Sequence, residues 1–467
     1  KPMKKDQKTI AGTILALATL ILISLPGGAA AKSADEEGGL GPQSVHAIGV
    51  KKVLMVAVRF SDVTPTVPLD ALKQKVVERF NAYVIAQSYG LASLQADFRG
   101  YVLLPDPITH YRISPYNFQV DRSRIRKLIE NTMTAIEKET DFSAYDHMLI
   151  IPAVHTTPGT GYGMICYCAN PGMLSGVTKR YLPRYETLKS AGGKEFKGGV
   201  FVGTENAHIG MFAHDYFHAL AGVEGGKRLV PCLYDYERQS DASAGLPSFE
   251  HYATYMGPWD IMSQHFVKRT DPPPGISSFT KIRLGWIQAG QVRIARPGET
   301  VFAVLSPLSL GGDCLAVKIP LGSGKYYLIE NRQPIRSDRF LPDSGILILE
   351  VNPEAAEGYG TVEVKDAGGV GGFAEAPHIL EVDKRAFFKD GWNNIAVIPL
   401  WKQKEDVAVL VTHPDRSEGA IRAARAIQAL INRHAASDQP AIREAIEAFQ
   451  GGAFEKSHAI ATGQAKP

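Results

Sequence analysis

The order of strand-like and helix-like segments changes once along the chain, near residue 293, and this change constrains the fold more than any other feature. Before it, short apolar runs rich in β-branched residues alternate with repeats of helical spacing. The predicted strands span residues 51–60, 100–104, 147–154 and 199–204, and the predicted helices span 69–85, 123–139 and 209–220. After it, strand-like runs punctuated by Gly and Pro predict antiparallel β-structure, and helical spacing returns from Ser417.

We therefore expect an α+β protein with three folded segments. A mixed α/β domain is predicted at residues 50–292, an antiparallel β-rich domain at 293–415, and a C-terminal helical segment with a tail at 416–467. Several units suit a chain of 467 residues, because single cores stop growing at about 250–300 residues. Residues 32–49 are rich in Gly, Ala and Glu and predict a flexible leader.

The N-terminal residues have the pattern of a secretory signal. Four lysines precede an apolar run over residues 9–25, Pro-Gly-Gly ends this run, and three alanines follow at residues 29–31. We predict a signal peptide at residues 1–31 and a secreted, extracellular protein without stable membrane insertion after cleavage. An uncleaved N-terminal anchor is the alternative, and the well-placed alanines favour cleavage.

Charge excludes one class of partner. The formal net charge is only +3, and Lys and Arg are scattered along the chain without forming a stripe. A nucleic-acid-binding surface needs a basic patch, so we predict no nucleic-acid partner.

The four cysteines are predicted to form disulfides. An even number of cysteines in an oxidising compartment permits two bridges with three connectivities. Cys166 and Cys168 are too close in sequence to pair without strain. We therefore expect disulfides that join this pair to Cys232 and Cys314, and we regard a metal site built on the Cys-x-Cys pair as the weaker alternative.

The segment that carries chemistry is His214-Asp215-Tyr216-Phe217-His218. Histidines four residues apart project from one face of a helix and can hold one zinc ion. In hydrolytic zinc sites a glutamate follows the first histidine and acts as the general base. Here the candidate catalytic residue is Asp215, whose carboxylate reaches about 1.5 Å less far than that of glutamate. This predicts either a displaced water or a weakened enzyme, because a general base needs hydrogen-bond reach.

A zinc site of this kind needs a third ligand beyond the helix. Glu224 stands ten residues after His214, which is the spacing of the third ligand in metzincins, and Gly222 allows a sharp turn before it. We predict Glu224 as the third metal ligand. Three carboxylates remain competing candidates: Asp235, Glu237 and Glu250.

Eight segments, in order along most of residues 50–352, resemble the immune inhibitor A family of secreted bacterial zinc metalloproteases. They are residues 51–62, 88–90, 141–146, 209–218, 233–236, 257–263, 278–287 and 326–333. The resemblance implies that residues 50–292 form a zincin-like catalytic domain of a zinc endopeptidase, often with bound calcium. It also implies that His214 and His218 are zinc ligands, and that Met262 lies beneath the metal in a Met-turn.

The departures from the family pattern cluster at the catalytic centre. Asp215 stands where the family has glutamate, Phe217 stands where a glycine is usual, and Ala221 stands where the family has another glycine. An insertion at residues 225–232 follows the third-ligand region. This distribution is typical of a protein that keeps its scaffold while its chemistry changes.

Two functions follow as hypotheses. The first is a secreted, Zn²⁺-dependent endopeptidase that cuts extracellular proteins or peptides, with Tyr234, Tyr236 or Tyr255 as a candidate oxyanion donor. The alternative is a catalytically inactive zincin-like binding protein. Calcium could be held by loop carboxylates such as Asp141 and Asp146, although the sequence favours turn and cap roles for both.

Overall fold

The computed structural model describes residues 39–111, 122–156, 166–169, 187–241, 253–369, 372–433 and 440–464. Residues from Ser33 to Pro467 belong to one compact unit. This unit contains helices and several sheets, so the α+β class is confirmed. The predicted signal peptide at residues 1–31 lies outside the described residues.

The helices and strands follow the predicted order closely. The described helices are α1 (Leu69–Lys73), a π-helical turn (Gln74–Arg79), α2 (Phe80–Gln87), α3 (Arg122–Ile136), α4 (Ile209–Ala221), α5 (Tyr236–Asp241), α6 (Ser278–Arg283), α7 (Ser417–Arg433), α8 (Pro440–Gln450) and α9 (Phe454–Thr462). The strands of the first half are β1 (Gly49–Arg59), β2 (Ala92–Leu103), β3 (His147–Pro152), β4 (Cys166–Ala169), β5 (Leu188–Lys189), β6 (Glu195–Phe196), β7 (Gly199–Gly203), β8 (Val223–Glu224) and β9 (Lys227–Arg228). Those of the second half are β10 (Val292–Ile294), β11 (Val301–Leu305), β12 (Ala316–Pro320), β13 (Tyr326–Arg332), β14 (Gly345–Val351), β15 (Val362–Val364), β16 (Phe388–Asp390), β17 (Ile395–Gln403) and β18 (Asp406–Thr412).

The first sheet has the strand order β2-β1-β3-β7-β4. Strands β2, β1, β3 and β7 run parallel, and the edge strand β4 is antiparallel to β7. Central parallel strands are covered on both faces and appear as continuous apolar runs. β1 and β3 follow this rule, since residues 53–58 and 147–152 are all buried. One face packs against α3 and the other against α2 and α4, which places α4 directly on the sheet.

The second half forms two further sheets that face each other. Their strand orders are β10-β12-β13-β14-β15 and β11-β18-β17-β16. All described pairs are antiparallel except β10 with β12, which is parallel. The inner faces bury a shared apolar core that includes Leu305, Ile329, Ile348 and Val409. Alternating inward-facing residues from both sheets therefore hold this sandwich together.

The three predicted segments pack against one another through shared cores. The outer face of β13 and β14 joins the same buried cluster as α2, α4 and the first sheet. The helices α7, α8 and α9 cover the outer face of β17 and β18 with residues such as Ile427 and Phe449. β10 spans the predicted boundary between residues 292 and 293. None of the described helices has both the length and the apolar character needed to cross a bilayer.

Two elements differ from the sequence prediction. β2 begins at Ala92, well before residue 100, because its parallel pairing with β1 extends to Gly49. The segment alternates apolar and polar types from Ala92 to Arg99, a strand pattern that the prediction missed. The predicted C-terminal helical segment consists of three separate helices, α7, α8 and α9.

Two buried histidines make the fold sensitive to acid. His147 at the start of β3 packs edge-on against Tyr216, and His378 packs edge-on against Phe388. Burial lowers the pKa of each imidazole to about 4, whereas an unfolded chain has a histidine pKa of about 6.5. Between these values the unfolded chain binds protons that the folded chain does not bind, so protonation favours unfolding.

We expect the free energy of unfolding to fall as the pH is lowered from about 6.5 to about 4. Each of the two histidines contributes a loss of about 3 kcal/mol at pH 4, which is absent above pH 6.5. Urea unfolding in the presence of a chelator at several pH values measures this loss. The double variant His147→Phe/His378→Phe should have a flatter pH profile, whereas the exposed-site control His155→Gln should keep the wild-type slope. A double variant with an unchanged slope would contradict the assignment.

Candidate metal centre

The helix α4 brings the two predicted histidines together. The His208 side chain caps its start by accepting a hydrogen bond from the Gly210 backbone, and Gly222 ends it with a φ of 79°. Every residue of α4 is buried. Because His214 and His218 are four residues apart, their rings lie on one face of the helix.

Three donor atoms from His214, His218 and Cys232 converge at one buried point. The two histidine Nε2 atoms are 3.0 Å apart, and the Cys232 Sγ lies 3.5 Å from the first and 3.3 Å from the second. The three side chains belong to residues that are only 3%, 1% and 2% exposed. No second group of three or more His, Cys, Asp or Glu donors comes this close among the described residues.

The hydrogen bonds of the two rings leave their Nε2 lone pairs facing each other. His214 Nδ1 lies 2.9 Å from the Ile261 carbonyl oxygen, and His218 Nδ1 lies 2.7 Å from that of Val230. A carbonyl oxygen can only accept, so each Nδ1 carries the hydrogen of its ring. Burial lowers the pKa of His214 to about 4 and that of His218 well below its usual value, so both rings are neutral near pH 7.

A cation would stabilise this arrangement. Two lone pairs at 3.0 Å repel each other, and the Cys232 thiol can donate its one hydrogen to only one of them. A metal ion between the three donors removes the repulsion and uses all three lone pairs. Histidines that ligate metals also donate their other ring N–H to a carbonyl or carboxylate, as both rings do here.

The donor separations suit a metal ion of the size of zinc. Zinc binds imidazole nitrogen at about 2.0–2.1 Å and thiolate sulfur at about 2.3 Å, so tetrahedral ligands lie about 3.3 Å apart for two nitrogens and about 3.5 Å for nitrogen and sulfur. The structure has 3.0 Å, and 3.3 and 3.5 Å, for these separations. The residues present therefore fit one such ion with shifts of a few tenths of an ångström.

The turn at residues 257–263 orients His214. The carboxylate of Asp260 accepts hydrogen bonds from the Met262 backbone at 2.8 Å and from the Ser277 and Thr280 hydroxyls at 2.6 Å each. This fixes the Ile261 carbonyl, which receives the His214 ring N–H. The buried Met262 belongs to the turn that the family resemblance places beneath the metal.

Arg332, a residue of strand β13, also holds this turn in place. Its guanidinium is fully buried, forms ion pairs of 2.8 Å with Glu330 and with Asp338, and donates to the Trp259 carbonyl at 3.0 Å. Burial lowers the pKa of Arg332, but these two carboxylates outweigh that effect and raise it overall. A buried charge with so many partners fixes the backbone around it.

A loop between β9 and α5 carries Cys232. The backbone N–H of Cys232 donates to the Glu357 carboxylate at 3.0 Å. The same carboxylate accepts from the Tyr236 hydroxyl at 2.7 Å and from the Arg228 guanidinium at 3.1 Å. The backbone N–H of Leu233 donates to the Met262 carbonyl at 2.8 Å. The loop is therefore fixed on both sides of the cysteine.

Sequence reasoning missed Cys232 as the third donor. The structure places the predicted ligand Glu224 on the exposed side of the β8–β9 hairpin, outside the donor group. Asp235 accepts hydrogen bonds from the backbone of Glu237 and the next residue at the start of α5, Glu237 is exposed, and Glu250 lies outside the described residues. The one available signal was a cysteine at the end of the inserted segment, directly before the Leu-Tyr-Asp-Tyr stretch.

The predicted disulfides to Cys232 and Cys314 are wrong. Both residues are free thiols in the structure. Cys232 points instead at the two histidines, because Glu357 fixes its backbone beside them. Cys166 and Cys168 lie in β4, and their side chains are outside what the structure describes.

The remaining predicted residues occupy separate places around the centre. Asp215 is buried in α4 beside His214 and is not one of the three donors. The Tyr234 ring stacks on the His214 ring with centroids 5.9 Å apart, and the His265 ring packs against its edge at 4.5 Å. The Tyr236 hydroxyl donates to Glu357. Tyr234 is the tyrosine whose ring contacts the ring of His214.

The two carboxylates considered for calcium have local roles. Asp141 accepts hydrogen bonds from the backbone and hydroxyl of Ser143, which hold its pKa below the usual value. Asp146 accepts from the Lys52 backbone at 2.8 Å. Asp141 therefore acts as a cap residue, as the sequence favoured, whereas Asp146 links the start of β3 to β1.

Comparison with known proteins adds no relative. No protein-family model matches the sequence, and no curated protein matches it. The case for the function of this chain therefore depends on the geometry of its own residues.

We expect the protein to bind one divalent metal ion per chain at this centre. Cys232→Ala should weaken zinc binding by about 100-fold or more, and Glu357→Gln by about 10- to 100-fold, because Glu357 positions the ligand loop. Competition against a chromophoric chelator measures both constants. The matched control is Cys314→Ser, which removes the second of the two cysteines described as free thiols and should bind like the wild type. Wild-type affinity in Cys232→Ala would contradict the three-donor site.

Proposed function

We propose that this chain is a secreted, zincin-like zinc endopeptidase that cuts extracellular proteins or peptides, with its metal held by His214, His218 and Cys232. The observation that carries the proposal is the convergence of two imidazole lone pairs and one thiol at separations of 3.0–3.5 Å. The resemblance of residues 50–352 to secreted zinc metalloproteases supports the same function. The apolar run at residues 9–25, which has the pattern of a secretory signal, supports export.

The number and type of donors support zinc and catalysis. Within the described part of the chain three protein donors converge, which is the number found in catalytic zinc sites, whereas structural sites use four. Two imidazoles and a thiolate suit zinc, while calcium takes oxygen ligands. Calcium thus remains a proposal for some other part of the protein.

The chain's own residues would divide the work of hydrolysis. When bound, zinc supplies Lewis acidity, which polarises a peptide carbonyl and acidifies a water molecule. The carboxylate of Asp215 would accept the proton of the attacking water and return it to the leaving amine. The backbone carbonyls of Ile261 and Val230 keep the two histidines in the tautomer that presents Nε2. Tyr234 is the candidate oxyanion donor.

One observation favours the alternative, a catalytically inactive zincin-like binding protein. The three donors are 1–3% exposed, and the rings of Tyr234 and His265 pack against His214. A peptide needs access to the metal, so burial on this scale favours a structural ion. The short carboxylate of Asp215 favours the same alternative.

Substitution of Asp215 tests the proposal. We expect Asp215→Glu to raise kcat/KM for a generic protein substrate by about tenfold, because the longer side chain restores reach to the water. Asp215→Asn should lower it by about 100-fold or more, because an amide cannot accept the proton. Digestion of fluorescently labelled casein by the zinc-loaded full chain measures both effects.

The control and the metal content separate the two functions. Glu224→Gln lies on the exposed hairpin outside the donor group and should leave activity unchanged. Metal analysis of each variant shows whether zinc is retained. Bound zinc without measurable digestion in the wild type and in Asp215→Glu would overturn the peptidase and support the binding protein.

A further inference from the structure

The hairpin between β16 and β17 exposes one tryptophan almost completely. Trp392 is 98% exposed, whereas Trp259, Trp286 and Trp401 are at most 3% exposed. An indole ring left in water forgoes the free energy of burial, which for a large side chain is about 1.5–3 kcal/mol. An isolated exposed aromatic ring on a rigid support is therefore a candidate contact for a ligand.

The turn that presents Trp392 is rigidly built. One oxygen of the Asp390 carboxylate accepts from the Trp392 and Asn393 backbones at 3.0 and 3.2 Å. The other accepts from the Asn393 side chain at 2.6 Å and from the Tyr327 hydroxyl at 2.9 Å. Asn394 completes the turn with a φ of 56°, the left-handed conformation that asparagine tolerates. The backbone that carries the indole is thus fixed before any ligand arrives.

Trp392 forms one wall of an open groove of about 490 Å³. The groove is otherwise lined largely by polar side chains, among them Lys325, Glu350, Lys365 and Asn393. Both lysines donate to Glu350, at 3.1 and 2.8 Å, and with Lys389 and Asp390 the lining carries three lysines and two carboxylates, a net charge of +1. An ammonium carries three N–H donors, and in the described residues Lys325 and Lys365 each use one on Glu350.

This combination selects for one ligand chemistry. A pyranose ring has an apolar face of C–H groups that can stack on an indole, and its edge carries hydroxyls that both donate and accept. The groove offers ammonium and amide donors together with carboxylate acceptors around a flat aromatic wall. A lipid would lack partners for the polar lining, and a net lining charge of only +1, with two of the lysines paired to Glu350, gives little preference for a strongly charged ligand.

We propose that the groove between Trp392 and Lys365 is a binding site for neutral hexopyranose glycans. The Trp392 indole stacks on one sugar ring, and Lys325, Lys365 and Asn393 donate hydrogen bonds to its hydroxyls. The open shape of the groove admits an internal residue of a longer chain as well as a terminal one. This site is formed by the sheets of the second half and is independent of the metal centre and of any peptidase activity.

Titration of the full chain with cellohexaose, chitohexaose and mannohexaose tests the site. The three sugars show whether the natural ligand is a glucan, an N-acetylglucosamine polymer or a mannan. Saturable binding to at least one, with a Kd on the order of 1 mM or tighter, is expected. Tryptophan fluorescence should change on binding, because Trp392 is the exposed indole and the other three are buried. Calorimetry gives the affinities of variants that lack this reporter.

Trp392→Ala should weaken binding by about tenfold or more, and Trp392→Tyr should retain most of it, because a flat ring remains. Neither variant should change the midpoint of thermal unfolding, since the side chain is exposed. Leu310→Ala, another exposed apolar site outside the groove, is the matched control and should bind like the wild type. The proposal is overturned if none of the three hexasaccharides binds, or if Trp392→Ala binds as tightly as the wild type.

Discussion

The buried ionic network around Arg332 is the constraint on which the candidate metal centre depends. Arg332 is enclosed by Glu330 and Asp338 and donates to the backbone of the turn at residues 257–263. Within that turn Asp260 accepts hydrogen bonds from its own backbone and from the hydroxyls of α6. Burying charged groups is tolerated only when their hydrogen bonds are satisfied, so the network permits one arrangement of the turn. The contribution of the network is therefore to fix the position of this turn.

This network couples the β-rich half of the chain to the metal ligands. The turn supplies the carbonyl that orients His214 and the carbonyl that holds the residue after Cys232. A second residue of that half, Glu357, holds the Cys232 backbone itself. The donors therefore depend on packing between the halves, and metal binding should be linked to the stability of both. The shared apolar core beneath α4 has the same consequence.

Two changes at the centre bear on its chemistry. A thiol, that of Cys232, stands where a carboxylate was expected, and as a metal-bound thiolate it would favour zinc and other ions that accept sulfur. A shorter carboxylate, that of Asp215, stands where glutamate is usual. In the proposed zinc site the first change would keep metal binding, and the second would weaken proton transfer. The geometry therefore supports metal binding at this site more strongly than it supports catalysis.

The sequence by itself determined the α+β class, most of the strands and helices, and the helix that carries both histidines. These features depend on local periodicity and on spacing within one helix, and α4 ends within one residue of its predicted end. Only the tertiary structure decided the third donor. Cys232 is 14 residues from His218, and its position depends on Glu357, which is 125 residues further along the chain. Local sequence patterns cannot predict such a contact, because it exists only when the two halves of the chain pack together.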